Sequence, residues 1–326
     1  MTAIDAREAL KQRLFTSIST QVDAIGYVPA DITRLLAGTP LESATLGDAD
    51  ARPPGVAAPS QALSPQRLAQ YVNHFYDEAF YNRSGTMGLL LGDSEFRNIG
   101  YWEPGTTSQH AASERLQDVL LEFIPRKAGS ILDVACGMGA STRRLLEHYP
   151  ADQVWAINIS EKQIESTRRN APGVNAQVMN AVQLQFPDGS FDAIECIEAA
   201  FHFETRRRFL EEALRVLRPG GQLVMSDMLF TSAERLAQYP VFPSKANHLG
   251  SVEEYRALLE EVGFRDCVVR DASDRIWRPH FLYVVNRIHE DFADGKLGLV
   301  QMTEILWSYY QLHAITGPSL LVSARK

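Results

Sequence analysis

The sequence predicts an α/β fold, a mostly parallel sheet wrapped by helices on both faces. Three observations carry this. From about residue 130, short apolar or β-branched runs alternate with helical patterns. The first run ends in a glycine-rich turn that opens a helix, and a Pro-Gly-Gly turn precedes the fifth run.

The runs that read as strands lie at 130–135, 153–158, 174–179, 191–197, 222–227 and 265–270. Helical patterns at 140–148, 161–170, 204–217 and 251–262 lie between most of them. Strands joined through helices run parallel, with right-handed crossovers that place helices on both faces. Leu320-Leu321-Val322-Ser323-Ala324 is suited to close the sheet as an antiparallel strand. Between the sixth and last strands, residues 275–313 read as a helical insertion rich in aromatic side chains, among them Trp277, Phe281, Tyr283, Trp307 and Tyr310.

Ahead of the sheet, Leu68, Tyr71, Val72, Phe75 and Phe80 mark a helix from Pro65. A segment ending in Asn98-Ile99-Gly100-Tyr101-Trp102 follows, then a helix over about 108–123. Residues 4–37 read as helical, with Leu10, Leu14, Ile18 and Val22 in one stripe, and 38–64 as an Ala/Pro/Gly/Ser-rich linker. The expected organisation is an N-terminal helical extension and linker (1–64), a helical cap leading into the fold (65–124), and a main domain (125–326) carrying a helical lid insertion at about 275–313. The extension leaves a homodimer open.

The 326 residues suffice for a sizeable core, and the composition, 45% hydrophobic and 22% charged, is that of a globular enzyme. Cys136, Cys196 and Cys267 form no zinc-like spacing and read as reduced thiols, which suits the cytoplasm. The first twenty residues carry Asp5, Arg7, Glu8, Lys11 and Arg13 without an apolar run, so neither a secretory leader nor a membrane span is expected. A net charge of −8 argues against nucleic acid, which needs a basic stripe. Arg143-Arg144, Arg168-Arg169 and Arg206-Arg207-Arg208 are short and read as solvated helix faces.

The strongest local signal is Ile131-Leu132-Asp133-Val134-Ala135-Cys136-Gly137-Met138-Gly139-Ala140-Ser141. Gly137 and Gly139 can take positive φ and let the backbone approach a ligand, and free N–H groups at the helix start favour a polar group. A nicotinamide dinucleotide fingerprint is disfavoured: Thr142 stands where it needs a third glycine, and Asn158 where it needs an acid after the second strand.

With its neighbours, this turn resembles the class I S-adenosylmethionine-dependent methyltransferases. Leu132 to Gly139 looks like their first motif, Phe191-Asp192-Ala193-Ile194 like their strand-four motif, and Arg215-Val216-Leu217-Arg218-Pro219-Gly220-Gly221 like the turn before strand five. Gly100-Tyr101-Trp102 and Ile157-Asn158-Ile159-Ser160-Glu161-Lys162-Gln163 make the chain similar to the natural-product, quinone-pathway and cyclopropane-synthase branch. The resemblance implies a Rossmann-like seven-stranded sheet of order 3-2-1-4-5-7-6, last strand antiparallel, with S-adenosylmethionine as cofactor. It further implies that Asp133, Gly137 and Gly139 belong to the cofactor turn and that Asn158, Ile159 and Gln163 hold the ribose or adenosine. Asn180 and Ala181 would sit by the adenine, Ile197 against the cofactor near strand four, and Tyr101 over its methionine end. Many relatives carry Asp at positions 158 and 180; a neutral amide still bonds a hydroxyl or amine. Tyr101 also suits a packed core position.

A sulfonium methyl is already electrophilic, so the enzyme aligns an acceptor, excludes water and, for a hydroxyl, removes a proton. Ligands of such sheets bind outside the carboxyl ends of the strands. His202, just past strand four, matches an active-site histidine of the relatives and is the candidate base; a helix-capping histidine is the competing reading. Asp227, ending strand five, would orient His202 or bind the acceptor, or else cap a helix. Glu198 would serve a C-methylation, or else be a hydrogen-bonded buried acid. No metal is expected, because no second acid follows Asp227. The expected reaction is O-methylation of a small apolar or aromatic metabolite in natural-product biosynthesis, covered by the insertion and the helix around Phe75. C-methylation of an isoprenoid or enolisable carbon, or N-methylation, is the alternative.

Overall fold

The computed structural model describes residues 65–81, 94–236 and 245–326. The expected extension and linker, and with them any dimer through residues 1–64, lie outside the described residues.

Seven strands form one sheet: β1 (Ile131–Val134), β2 (Val154–Asn158), β3 (Asn175–Val178), β4 (Phe191–Ile197), β5 (Leu217–Phe230), β6 (Arg265–Asp271) and β7 (Thr316–Arg325), in the order β3-β2-β1-β4-β5-β7-β6. β7 is antiparallel to both its neighbours and the other pairs are parallel, as the resemblance implied. β5 and β7 outrun their apolar cores because they pair with each other from Gln222–Arg325 to Phe230–Thr316, and ladder hydrogen bonds do not depend on side-chain polarity.

Alternate residues of β1 enter opposite layers. Leu132 and Val134 join a core with Phe191, Phe209, Leu210, Tyr255 and Leu259. This layer is closed by α5 (Arg206–Val216) and α7 (Val252–Val262). Ile131 joins the other layer, with Leu116 and Leu120 of α2 (Gln109–Leu121) and Val224 and Leu321 of the sheet. The remaining helices are α1 (Pro65–Tyr81), α3 (Ala140–Leu145), α4 (Glu161–Asn170), the single turn α6 (Ala233–Leu236), and the insertion pair α8 (Trp277–Ala293) and α9 (Leu299–Ile315). Among the described residues no helix is long and apolar enough to cross a membrane.

Arg278–Ala314 belongs to a compact unit distinct from the one that contains the sheet. Phe281 is its hub, stacked on His313 and edge-on to Tyr310. Asp291 ties Arg287 and Lys296 to the end of α8.

Two of the clustered arginines, Arg144 and Arg206, are less solvated than their spacing suggests. Arg144 chelates Asp118 at 2.9 Å through two nitrogens, Arg143 meets Glu95, and Arg207 meets Glu261. Arg206 is buried altogether.

Candidate active site

The turn after β1 holds three left-handed residues, Ala135 (φ 61°), Gly137 (φ 56°) and Gly139 (φ 89°). The two glycines answer different demands. A Cβ on Gly139 would lie 2.6 Å from the Thr167 Cα, so this glycine lets α3 and α4 approach. A Cβ on Gly137 would meet nothing within 4 Å, so that backbone borders open space. Beneath the turn, Asp133 accepts hydrogen bonds from Ser141 Oγ at 2.9 Å and Thr142 Oγ1 at 2.7 Å. It is 1% exposed and braces the turn from inside. Burial pushes its carboxyl up to about 6, with both hydroxyl bonds opposing. Across the ladder lies Glu195, also buried, held by Gln117 and raised well above the usual carboxylate range by burial first and by Asp133 second.

At the end of β2 a polar knot forms. Asn158 Nδ2 donates to Gln163 Oε1 (3.0 Å), and Asn158 Oδ1 accepts from the Ser160 N–H (2.9 Å). Ser160 caps α4 by accepting from the Gln163 N–H, as serine at this position commonly does. Its hydroxyl and the Gln163 Nε2 both donate to Asp77 Oδ1 of α1, at 2.7 and 3.0 Å. Asn158 and Gln163, two of the residues expected at the ribose or adenosine, are thus bonded to each other, and Gln163 is bonded to an acid from a distant helix. Ile159 is half-buried beside them. Past β3, the exposed Asn180 folds its Oδ1 onto the Val182 N–H, with Ala181 buried next to it.

At the end of β4, Glu198 is held at φ 51°, a conformation that costs a non-glycine residue about 1–2 kcal/mol. Its Oε2 accepts from the Ile99 N–H at 2.7 Å, while its buried Oε1 has no partner among the described residues. Burial pushes this carboxyl up to about 8, against the Ile99 hydrogen bond and aided by negative Asp227. At neutral pH Glu198 is therefore an acid, not a base. His202 follows in a short 3₁₀ turn (Ala200–His202), where its Nε2 meets the hydroxyl of Tyr76 at 2.5 Å. Burial, and then Glu198, hold that phenol above its ordinary value of 10.0, so it stays protonated and has a proton to donate to a neutral Nε2.

Asp227 departs from its expected roles. Arg206 grips it with Nε at 2.7 Å and a second nitrogen at 3.2 Å, and the Tyr255 hydroxyl and the Met228 N–H fill its remaining lone pairs. It is 1% exposed, and its hydrogen bonds go to Arg206, Tyr255 and Met228, not to His202. Tyr101 and Ile197 both pack on the α2 layer, and Tyr101 also lines a cavity of about 290 Å³ with the Arg270–Arg275 segment and Leu321. Phe75 is exposed; the next residue, Tyr76, reaches the site instead. Among the described residues no group of three His, Cys, Asp or Glu side chains could hold a metal ion.

Sequence reasoning missed Tyr76, Asp77 and Tyr81. Tyr81 donates to the Lys162 carbonyl at 2.9 Å and bonds Ser166 Oγ at 2.6 Å. The available signal was the spacing: Asp77 and Tyr81 stand four apart on one helix face.

Residues 132–225 match the family described as a methyltransferase domain. The chain is 34% identical over 218 residues to "O-methyltransferase cnsE" of Penicillium expansum, covering 63% of this chain and 76% of that protein. It is 32% identical over 245 residues to the 27-O-demethylrifamycin SV methyltransferase of Amycolatopsis mediterranei, covering 70% and 88%. Among solved structures, the [4+2]-cyclase SpnF superposes with a TM-score of 0.60 at 22% identity, covering 81% of this chain and 97% of that one. That likeness bears on fold alone, since one fold hosts many reactions.

Proposed function

The chain belongs to the class I S-adenosylmethionine-dependent methyltransferases, and from that premise we propose that it methylates a hydroxyl oxygen of a small organic acceptor, with His202 receiving the acceptor's proton. The Tyr76–His202 hydrogen bond at the end of β4 carries this reading. The related natural-product enzymes, named as O-methyltransferases, support oxygen as the methylated atom.

The residues fit the cofactor. Gly137 leaves open space beside its turn, and the Asn180–Ala181 edge presents an exposed amide next to a buried alanine. Gly137 would border the methionine and ribose part, Asn180 and Ala181 the adenine. When bound, S-adenosylmethionine supplies an electrophilic methyl group. The protein's part is to place the acceptor oxygen in line with it and to take the proton. In the tautomer whose Nε2 accepts from Tyr76, the acceptor's proton passes to the phenol oxygen as the phenol's own proton moves to Nε2. The protonated Glu198, held by Ile99, keeps a hydrogen-bond donor beside this pair. Asp133 braces the turn.

A panel of phenols, enols, amines and carbon acids, incubated with methyl-labelled cofactor and analysed by NMR, tests the reading. Labelled methyl ethers are expected. Exclusive carbon or nitrogen methylation overturns it.

Two further results are expected. Gly139→Ala combines a left-handed alanine with a backbone clash against Thr167, and destabilises the fold by about 2–4 kcal/mol in urea unfolding. Gly137→Ala costs only about 1 kcal/mol of stability. Its methyl enters the open space, so calorimetry shows weakened S-adenosylhomocysteine binding in a folded protein.

Glu198→Gln alters stability in a pH-dependent way. A carboxyl raised on folding stabilises the fold fully below its unfolded value near 4.5 and loses that contribution as pH rises to about 8. The variant therefore melts with the native chain near pH 4.5 and several degrees above it at pH 8.5. At roughly 1.4 kcal/mol per pKa unit, the difference is on the order of a few kcal/mol. Parallel melting curves across this range would show that Glu198 stays ionised.

A further inference from the structure

We propose that Asp77 of α1 supplies the carboxylate that binds the ribose hydroxyls of the cofactor, a task the neutral end of β2 leaves open; the proposal rests on the methyltransferase reading. A vicinal diol offers two O–H donors, and a carboxylate is the group that accepts both. Hydrogen bonds to an ionised acceptor are roughly twice as strong as neutral ones. Asn158 cannot do this. With one Oδ1 lone pair accepting from the Ser160 N–H and Nδ2 donating to Gln163, a single Oδ1 lone pair remains, too few to accept from both hydroxyls. Gln163 in turn uses its Oε1 on Asn158 and its Nε2 on Asp77. The amides at the end of β2 thus form a bracket, and what the bracket holds is the Asp77 carboxylate.

The orientation of that carboxylate is specific. Both donors, Ser160 Oγ and Gln163 Nε2, converge on Oδ1. Oδ2 has no hydrogen bond and Asp77 no ion pair among the described residues, although the side chain is half-buried. A carboxylate that is pinned by one oxygen and free at the other presents lone pairs in a fixed direction. Two further contacts fix the helix that carries it. Tyr81 bonds Lys162 and Ser166 of α4, and Tyr76 bonds His202 beyond β4. Consecutive residues of α1 therefore reach the ends of β2 and β4, the strands flanking β1 and its open glycine turn. α1 thereby supplies a ribose ligand on one side and a proton relay on the other.

The test is a ligand comparison by calorimetry on the full chain. Native protein and Asp77→Asn are each titrated with S-adenosylhomocysteine and with its 2′,3′-dideoxy analogue. The expected result is that Asp77→Asn weakens S-adenosylhomocysteine binding by about 10- to 100-fold and leaves binding of the dideoxy analogue unchanged. Thermal melts verify that the variant is folded. Tyr81→Phe, which loosens α1 but keeps the carboxylate, serves as the second variant and should weaken both ligands equally and slightly. Equal binding of S-adenosylhomocysteine by native and Asp77→Asn protein overturns the proposal. So does an equal loss for both ligands, which would mean that Asp77 merely pins α1. Native protein that binds neither ligand removes the methyltransferase reading and this proposal with it.

Discussion

His202→Ala lowers kcat by about 10²- to 10⁴-fold, the usual worth of a positioned acid–base group, and leaves S-adenosylhomocysteine affinity unchanged to within about twofold. The split follows from where His202 stands. It lies past β4 against Tyr76, while the cofactor contacts proposed above run from the β1 turn to the β2 end. Tyr76→Phe causes a smaller fall, because removing the phenol clears Nε2 to take the acceptor's proton directly. Added imidazole partly restores His202→Ala, since the small base fills the vacated volume, and does nothing for Tyr76→Phe. Steady-state kinetics with product detection, run beside calorimetry, read all three. A His202→Ala enzyme with undiminished kcat would remove the histidine from the chemistry. A loss confined to cofactor affinity would make it a binding residue.

Asp227→Ala and Arg206→Ala each destabilise the protein by about 3–5 kcal/mol, the cost of stranding one partner of a buried ion pair. Arg206 and Asp227 are 4% and 1% exposed, so the surviving charge has almost no water to turn to. Arg206 also donates to the carbonyls of Asn247 and Met228, so its removal orphans those oxygens as well. Tyr255→Phe costs less, about 1 kcal/mol, because it deletes one hydrogen bond of several on the carboxylate. Chemical unfolding measures the loss. The protein that remains folded keeps its S-adenosylhomocysteine affinity and turnover per folded molecule. A stable Asp227→Ala protein with collapsed kcat would instead return Asp227 to the catalytic role its place at the end of β5 first suggested.

Much of the architecture was legible from local pattern. The β1 turn, the strand-four end and the Pro-Gly-Gly turn each carry their signal within a dozen residues, because periodicity, glycine placement and chain reversal are local properties. Boundaries were less so. β5 and β7 run further than their apolar stretches because each pairs with the other, and pairing partners are distant in sequence. Among the candidate site residues, His202 and the glycines were proposed from their place after a strand. Asp227 looked identical by that criterion, and only the arrival of Arg206 and Tyr255 turned it into a buried structural acid.

By itself the sequence determined the order of elements and the glycine turn after the first strand, since each follows from interactions between near neighbours in the chain, whereas the strand order came through the family resemblance. The tertiary structure alone decided that α1 lies across the strand ends, bringing Tyr76 to His202 and Asp77 to Ser160 and Gln163. The physical reason is that the docking of a helix depends on the summed packing and hydrogen bonding of surfaces far apart in sequence, and no window along the chain contains both.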